Sequence, residues 1–359
     1  MNEKTTIAFL GDTFLGDNPR VSLSPQVNDI FKSADLVVAN LESPLTKHEC
    51  STYGKICLRS APKTAKILKS WHIDLVSLAN NHIFDYGLQG FEDTCHALSE
   101  SGISYIGAGK NLAEASNPKI LDVNHLKIGF LSYSCRYHKP QHAKENAFGV
   151  APFSEQLVIS QVKYLNKKAD LVIVQPHWGF GEYDMPVPKE MVLGAKILEA
   201  GADAVIGHHA HVVQGIRRFG NKIIAYNLGD FIFQDYMDRG SVVHPHGENL
   251  EGIVLLLHLR KDGISDYQVF FTLQQNLEVV LDNTSERTKK FTRRCDSLSS
   301  SNYPAAWRRC VTRYIIHRIL YWINIFNWRK IDKNTIAGIW KLTKFLFSSR
   351  GKNKENPAE

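Results

Sequence analysis

Short apolar runs rich in Val, Ile and Phe alternate along most of the chain with stretches whose apolar residues recur every three or four positions. The runs predict strands at 5–10, 35–39, 73–79, 103–106, 127–133, 170–175, 203–206, 222–227, 252–259 and 266–273. The longer period predicts helices at 62–71, 88–101, 154–168 and 187–201. In the second of these, Leu88, Phe91, Cys95 and Leu98 share a face, and Gly102 follows as a C-terminal stop. Alternation of this kind argues for a central, partly parallel sheet covered by helices. Lys261-Asp262-Gly263, between the last two strands, is a hairpin signal. No internal repeat is visible.

The pattern changes near residue 284. Thr, Ser, Arg and Lys dominate 284–303, and Ser299-Ser300-Ser301-Asn302 reads as linker. Residues 1–283 therefore read as the main domain, 284–303 as a linker, 304–350 as a basic aromatic helical extension and 351–359 as a disordered tail. In the extension Ile315, Ile316, Ile319, Leu320, Ile323 and Phe326 recur at helical spacing among Arg308, Arg309, Arg313, Arg318, Arg329 and Lys330. That stretch is too short and too interrupted to span a bilayer. Two alternatives stay open for 304–348: a helix lying in a membrane interface, drawn by anionic lipids, or one packed back on the domain. Nucleic acid is not an expected partner.

Charge reinforces the division. Residues 284–359 hold 17 basic against 5 acidic side chains, whereas the preceding 283 hold 26 against 31. The net charge of +7 thus belongs to the tail and says little about what the main domain binds. A hydrophobic content of 43% with 22% charged residues is that of a folded soluble chain. The six cysteines are scattered, with no C-x-x-C pair, and read as reduced thiols. Residues 5–10 enter a strand without a leader pattern before them, so the expected location is cytoplasmic, peripheral on the inner face of the membrane if the extension binds lipid.

Five polar clusters follow predicted strands: Gly11-Asp12, Asn40-Leu41-Glu42, Asn80-Asn81-His82, His177-Trp178-Gly179 and His208-His209-Ala210-His211. Carboxyl ends of strands in an open α/β sheet converge on a ligand crevice. Carboxylate, amide and imidazole donors without thiolates suit Mn, Fe or Zn as a divalent ion, one or two in number. His-x-His can place two imidazoles on one ion, and a carboxylate can bridge to a second. Blander readings exist for single members. Asp12 after Gly11 is equally a turn residue, Glu42 an exposed side chain, and His177 a satisfied core histidine.

Further runs join these clusters: Ser43-Pro44-Leu45, Asp85-Tyr86-Gly87, Gly107-Ala108-Gly109, Glu182-Tyr183, Gly201 to Gly207, and Asn227-Leu228-Gly229-Asp230-Phe231. Together, in this order over roughly residues 5–260, they resemble the bacterial CapA family of poly-gamma-glutamate capsule synthesis proteins, a branch of the calcineurin-like metallophosphoesterases. The resemblance implies a four-layered αββα sandwich, to which the C-terminal helical extension read from residues 304–350 is added. It implies metal ligands at Asp12, Glu42 (bridging), Asn81, His177, His209 and His211, with His82 acting on the leaving group and Asp85 orienting it. His208, Glu182 and Asp230 are additional candidates. Three departures stand out. Asp12-Thr13-Phe14 replaces the usual Asp-x-His, Glu42 replaces a bridging Asp, and Leu228-Gly229-Asp230-Phe231 adds a carboxylate that is either a ligand or a histidine-orienting group. The expected activity is metal-assisted hydrolysis of a phosphorylated or polymer substrate, in connection with a capsule-synthesis complex. The alternative is a non-catalytic scaffold for polymer synthesis and export.

Overall fold

The computed structural model describes residues 4–17, 19–49, 55–136, 139–238, 240–282 and 284–312. Its organising strand is Thr5–Phe14, almost wholly buried, which pairs antiparallel with Glu251–Arg260 and parallel with Leu36–Leu41. Around it lies a nine-stranded sheet. Leu36–Leu41 is followed outward by Leu75–Ser77 and Ser104–Ile106, and Glu251–Arg260 by Gly263–Gln275, Glu278–Leu281 and Ser22–Leu23. Asp230–Phe233 pairs with the far end of the organising strand. A second, six-stranded sheet runs Ile216–Phe219, Lys222–Ala225, Ala204–Ile206, Leu171–His177, Leu126–Ser134, Lys119–Val123.

Period-two alternation decides how the sheets stack. Ile7, Phe9, Val38 and Leu75 of the first sheet share one apolar cluster with Ile128, Phe130, Ile173, Ile206 and Ile223 of the second, so the sheets face each other. Ala8, Leu10, Val37 and Val76 point the other way, onto helices Pro25–Lys32, Thr64–Ser70 and Gly87–Glu100 through Phe31, Leu68 and Leu98. On the far side of the second sheet, Leu165 of helix Glu155–Leu165 meets Gly129, and Gly194 of helix Pro188–Glu199 meets Ile224. The result is the αββα sandwich. Periodicity alone suggests one central sheet, because a strand's pattern does not encode which sheet it joins. The hairpin forms as expected, Arg260 opposite Gly263.

One boundary is corrected. The stretch 284–303, expected as linker, contains helix Ser285–Ser297, capped by the Thr284 hydroxyl on the Arg287 N–H. Phe291 and Cys295 pack on the inter-sheet cluster, and the Phe291 ring lies 5.5 Å from that of Phe271. Arg294 bonds Asp184 and Glu248, and Arg287 bonds Asp282. A helix with so narrow an apolar face has the composition of a solvated linker, which is why its periodicity does not show. Residues up to Ser299 form one compact unit and those from Ser300 a second. In the second, residues 303–312 are helical. The rest of the expected 304–350 extension, with its membrane contact, and the 351–359 tail lie outside the described residues. Among the described residues no helix is long and apolar enough to cross a membrane, and no cysteine is in a disulfide.

If this helix is part of the domain, Phe291→Ala lowers stability by about 1–3 kcal/mol in urea unfolding, while the exposed Lys289→Ala stays within about 0.5 kcal/mol. Equal, negligible effects would return the segment to a linker.

Candidate metal centre

Each inward-facing row of side chains runs apolar along its strand and turns polar at the carboxyl end. Val38 is followed by Asn40, Leu75 by Ser77, Ile173 by Gln175 and His177, Ile206 by His208, and Ala225 by Asn227. On the first sheet Asp230, Asp12, Asn40 and Ser77 stand in register across four strands. On the second, His177 stands level with Ser134 on one side and His208 on the other. Two polar rows therefore face each other at one end of the inter-sheet core.

Two glycines permit this. A Cβ on Gly11 would sit 1.9 Å from the Gly229 carbonyl oxygen, and one on Gly207 1.9 Å from that of Tyr226. With no side chain at either, the Asp12 N–H donates to the Gly229 carbonyl at 3.0 Å, and the strand ends close on one another. The loop His208–His211 is strained: His209 and His211 have φ of 96° and 56°. For non-glycine residues such conformations cost about 1–3 kcal/mol each, tolerated where surroundings over-determine them.

Asp12 is fully buried. Its Oδ1 accepts from Asn40 Nδ2 at 2.8 Å and its Oδ2 from the His209 backbone N–H at 2.9 Å. Burial opposes its charge, but His208, 3.5 Å away, together with His211 and His177, holds it well below the usual carboxylate range. Glu42 is also fully buried, and among the described residues neither of its oxygens has a hydrogen-bond donor. Its Oε1 lies 3.6 Å from His177 Nε2 and 3.7 Å from His211 Nε2. Burial and the neighbouring Asp12 charge push its carboxyl well up. His177 Nε2 is 2.8 Å from Asn81 Oδ1 and 3.0 Å from His209 Nδ1. His211 Nδ1 is 2.8 Å from Asp230 Oδ1. Burial disfavours the His211 charge, yet Asp230, Glu42 and Asp12 together keep its proton affinity well above normal. Burial pushes Asp230 up to about 7.

Ligand atoms fall within 4.8 Å of one another in three overlapping groups: Glu42–His209–His211, Asp12–Glu42–His177 and Asp12–His211–Asp230. Mixed oxygen and nitrogen donors, crowded carboxylates and two orphaned buried oxygens on Glu42 fit a divalent cation. The loop after strand Leu75–Ser77 supplies a different unit. Asn80 holds the turn, its Oδ1 accepting from the His82 and Ile83 N–H groups and its amide donating to the Leu41 carbonyl. Asn81 then faces His177, while His82 Nδ1 lies 2.7 Å from Asp85 Oδ2. Burial lowers the proton affinity of His82.

The structure thus brings Asp12, Glu42, Asn81, His177, His209, His211 and Asp230 together, with His82–Asp85 beside them. His208 is buried behind Asp12. Glu182 is exposed at the rim, outside the three ligand groups, where its backbone N–H bonds the Ala210 carbonyl. Asn40, whose amide fixes Asp12, lies in the Asn40-Leu41-Glu42 run, whose sequence does not mark it as an Asp12 partner. Lys55, which bonds Asp85 and the Asn81 carbonyl, carries no sequence signal.

The family model described as "Bacterial capsule synthesis protein PGA_cap" matches residues 6–235. The chain belongs to that family. Relatives of this PGA_cap chain include the PGA biosynthesis protein CapA of Bacillus subtilis, 31% identical over 274 residues, a match spanning 73% of this chain and 70% of that protein. The capsule biosynthesis protein CapA of Bacillus anthracis is 30% identical over 279 residues, spanning 73% and 66%. A Mycobacterium tuberculosis protein named "Probable polyglutamine synthesis accessory protein" is 30% identical over 220 residues, spanning 58% of each. A solved structure, a novel phosphatase from Mycoplasma pneumoniae, aligns at a TM-score of 0.49 with 14% identity over 80% of this chain and 98% of that one.

The shifts predict a pH dependence for the metal-free PGA_cap domain. Glu42, Asp230 and His211 all bind protons more tightly folded than unfolded. The folded state then carries more protons through neutral pH, so stability falls as pH rises. Asp12 acts oppositely in acid, and His82, His142 and His258, whose proton affinity burial lowers, oppose the trend up to about pH 6.5. With chelator present, Tm should drop between about pH 6.5 and about pH 8, and a saturating divalent ion should remove most of that slope. A Tm that rises across the interval contradicts these assignments.

Proposed function

We propose that this chain is a metal-dependent hydrolase, a phosphoesterase, serving synthesis of a poly-gamma-glutamate capsule or another cell-surface polymer. The observation that carries the reading is Glu42. It is a fully buried carboxyl group whose oxygens have no hydrogen-bond donor among the described residues, set between the Asp12–Asp230 and His177–His209–His211 groups. A carboxyl buried this way keeps its proton unless a cation takes the proton's place. Asp12, Glu42, Asn81, His177, His209 and His211 would hold one or two ions of Mn, Fe or Zn. Asp230 lies against the back nitrogen of His211 and orients it. Phe14, where a further imidazole would stand, is packed among Leu58 and Phe233 and offers no donor.

A bound divalent ion supplies Lewis-acid polarisation of a phosphoryl oxygen and an acidified water. The chain's own residues do the rest. Asp85, its side chain fully buried, fixes the His82 ring through Nδ1, and the slightly exposed His82 delivers a proton to the departing oxygen. The CapA names of the Bacillus relatives support the polymer context. The name of the Mycobacterium relative favours a second reading, a non-catalytic accessory or scaffold subunit of a synthesis and export complex.

Purified protein with Mn²⁺ should cleave members of a phosphoester panel. His82→Ala should lower kcat by about 100-fold or more with metal content unchanged. His209→Ala should lose metal, and Asp230→Asn should weaken metal binding about 10- to 100-fold. No cleavage by wild type, with His82→Ala and His209→Ala supporting normal capsule, would leave the scaffold.

A further inference from the structure

Lys55 reaches from the segment Lys55–Leu58 across to the loop that carries Asn81 and His82. Its ammonium donates to the Asn81 backbone carbonyl and to Asp85 Oδ1. Asp85 Oδ2 accepts from the Leu58 N–H at 2.8 Å and lies 2.7 Å from His82 Nδ1. One cation therefore ties together the backbone of a candidate metal ligand and the carboxylate that orients the candidate acid. The energetic reason is burial. The Asp85 side chain is fully buried, whereas that of Lys55 is 29% exposed and that of His82 12%. A carboxylate so placed is costly unless paired, and removing Lys55 takes away a positive charge that offsets it. Lys55 forms an ion pair with Asp85.

We propose that Lys55 is a positioning residue: it holds Asp85 as a compensated carboxylate and locks the Asn81–His82 turn, so that His82 keeps one tautomer and one direction. The role in turnover rests on the hydrolase reading above; the role in geometry does not. Lys55 is not placed among the ligands, so its loss should leave the ion bound. Arg at this position keeps the charge and a fork able to reach both acceptors, whereas Met keeps the stem and loses both.

The test compares wild type, Lys55→Met and Lys55→Arg, all checked for folding by thermal melt, with p-nitrophenyl phosphate and saturating Mn²⁺. Lys55→Met should lower kcat about 10- to 100-fold, with KM within about threefold and bound Mn²⁺ unchanged. Lys55→Arg should recover most of the loss. A raised KM at unchanged kcat, or wild-type kinetics in Lys55→Met, overturns the proposal. A second readout needs no turnover: the downfield imidazole proton shared by His82 and Asp85, identified by its absence in His82→Ala. It should vanish or broaden in Lys55→Met and persist in Lys55→Arg; its persistence in Lys55→Met also overturns the proposal. If wild type hydrolyses nothing, the hydrolase reading fails by itself, and the proton signal decides the fate of Lys55.

Discussion

Three carboxylates, Asp12, Glu42 and Asp230, are buried at one end of the space between two sheets, and much of the surrounding structure answers that crowding. Like charges at low dielectric repel strongly, and unpaired ones are expelled or neutralised. Here each is answered differently. Asp12 takes an amide and a backbone N–H and stays ionised, and Asp230 shares His211. Glu42 has no hydrogen-bond donor among the described residues, and imidazole edges lie 3.6 and 3.7 Å from its Oε1. The cluster suits a divalent cation, and on the metal-centre reading proposed above, binding a metal and stabilising the domain are one property rather than two.

Bringing those groups together depends on backbone more than on side chains. Gly11 and Gly207 let strand ends approach closer than any Cβ would allow, and the positive-φ histidines 209 and 211 turn their rings toward Glu42. The strain of that loop is held by the sandwich behind it, where Ile206, Ile173 and Val38 are fully buried in one cluster. Rigidity of the core and precision of the site thus share a cause: each strand that contributes a ligand also contributes the apolar residues beneath it.

The same fact explains what the sequence disclosed. Apolar runs that end in polar residues mark strand ends directly, so the five clusters that hold Asp12, Glu42, Asn81, His177, His209 and His211 were legible as candidate metal-site segments. The choice of those six as ligands rested on the family resemblance. Their convergence was legible only through topology and family resemblance, since alternation could not divide the strands into two sheets. Asp230 could not be assigned from sequence because its role turns on which ring nitrogen of His211 it meets. Lys55 lies 30 residues from Asp85 in an unremarkable loop and left no trace. Helix Ser285–Ser297 was masked by its own polarity, its docking resting on Phe291, Cys295 and ion pairs that composition does not reveal.

The central claim, that the two polar rows form a divalent-cation centre, is tested most directly by anomalous scattering from crystals grown with Mn²⁺. The account predicts one or two peaks between the sheets, about 2.0–2.3 Å from oxygens of Asp12 or Glu42 and nitrogens of His177, His209 or His211. Crystals saturated with the ion that show no peak there, or a peak only elsewhere on the protein, would contradict it.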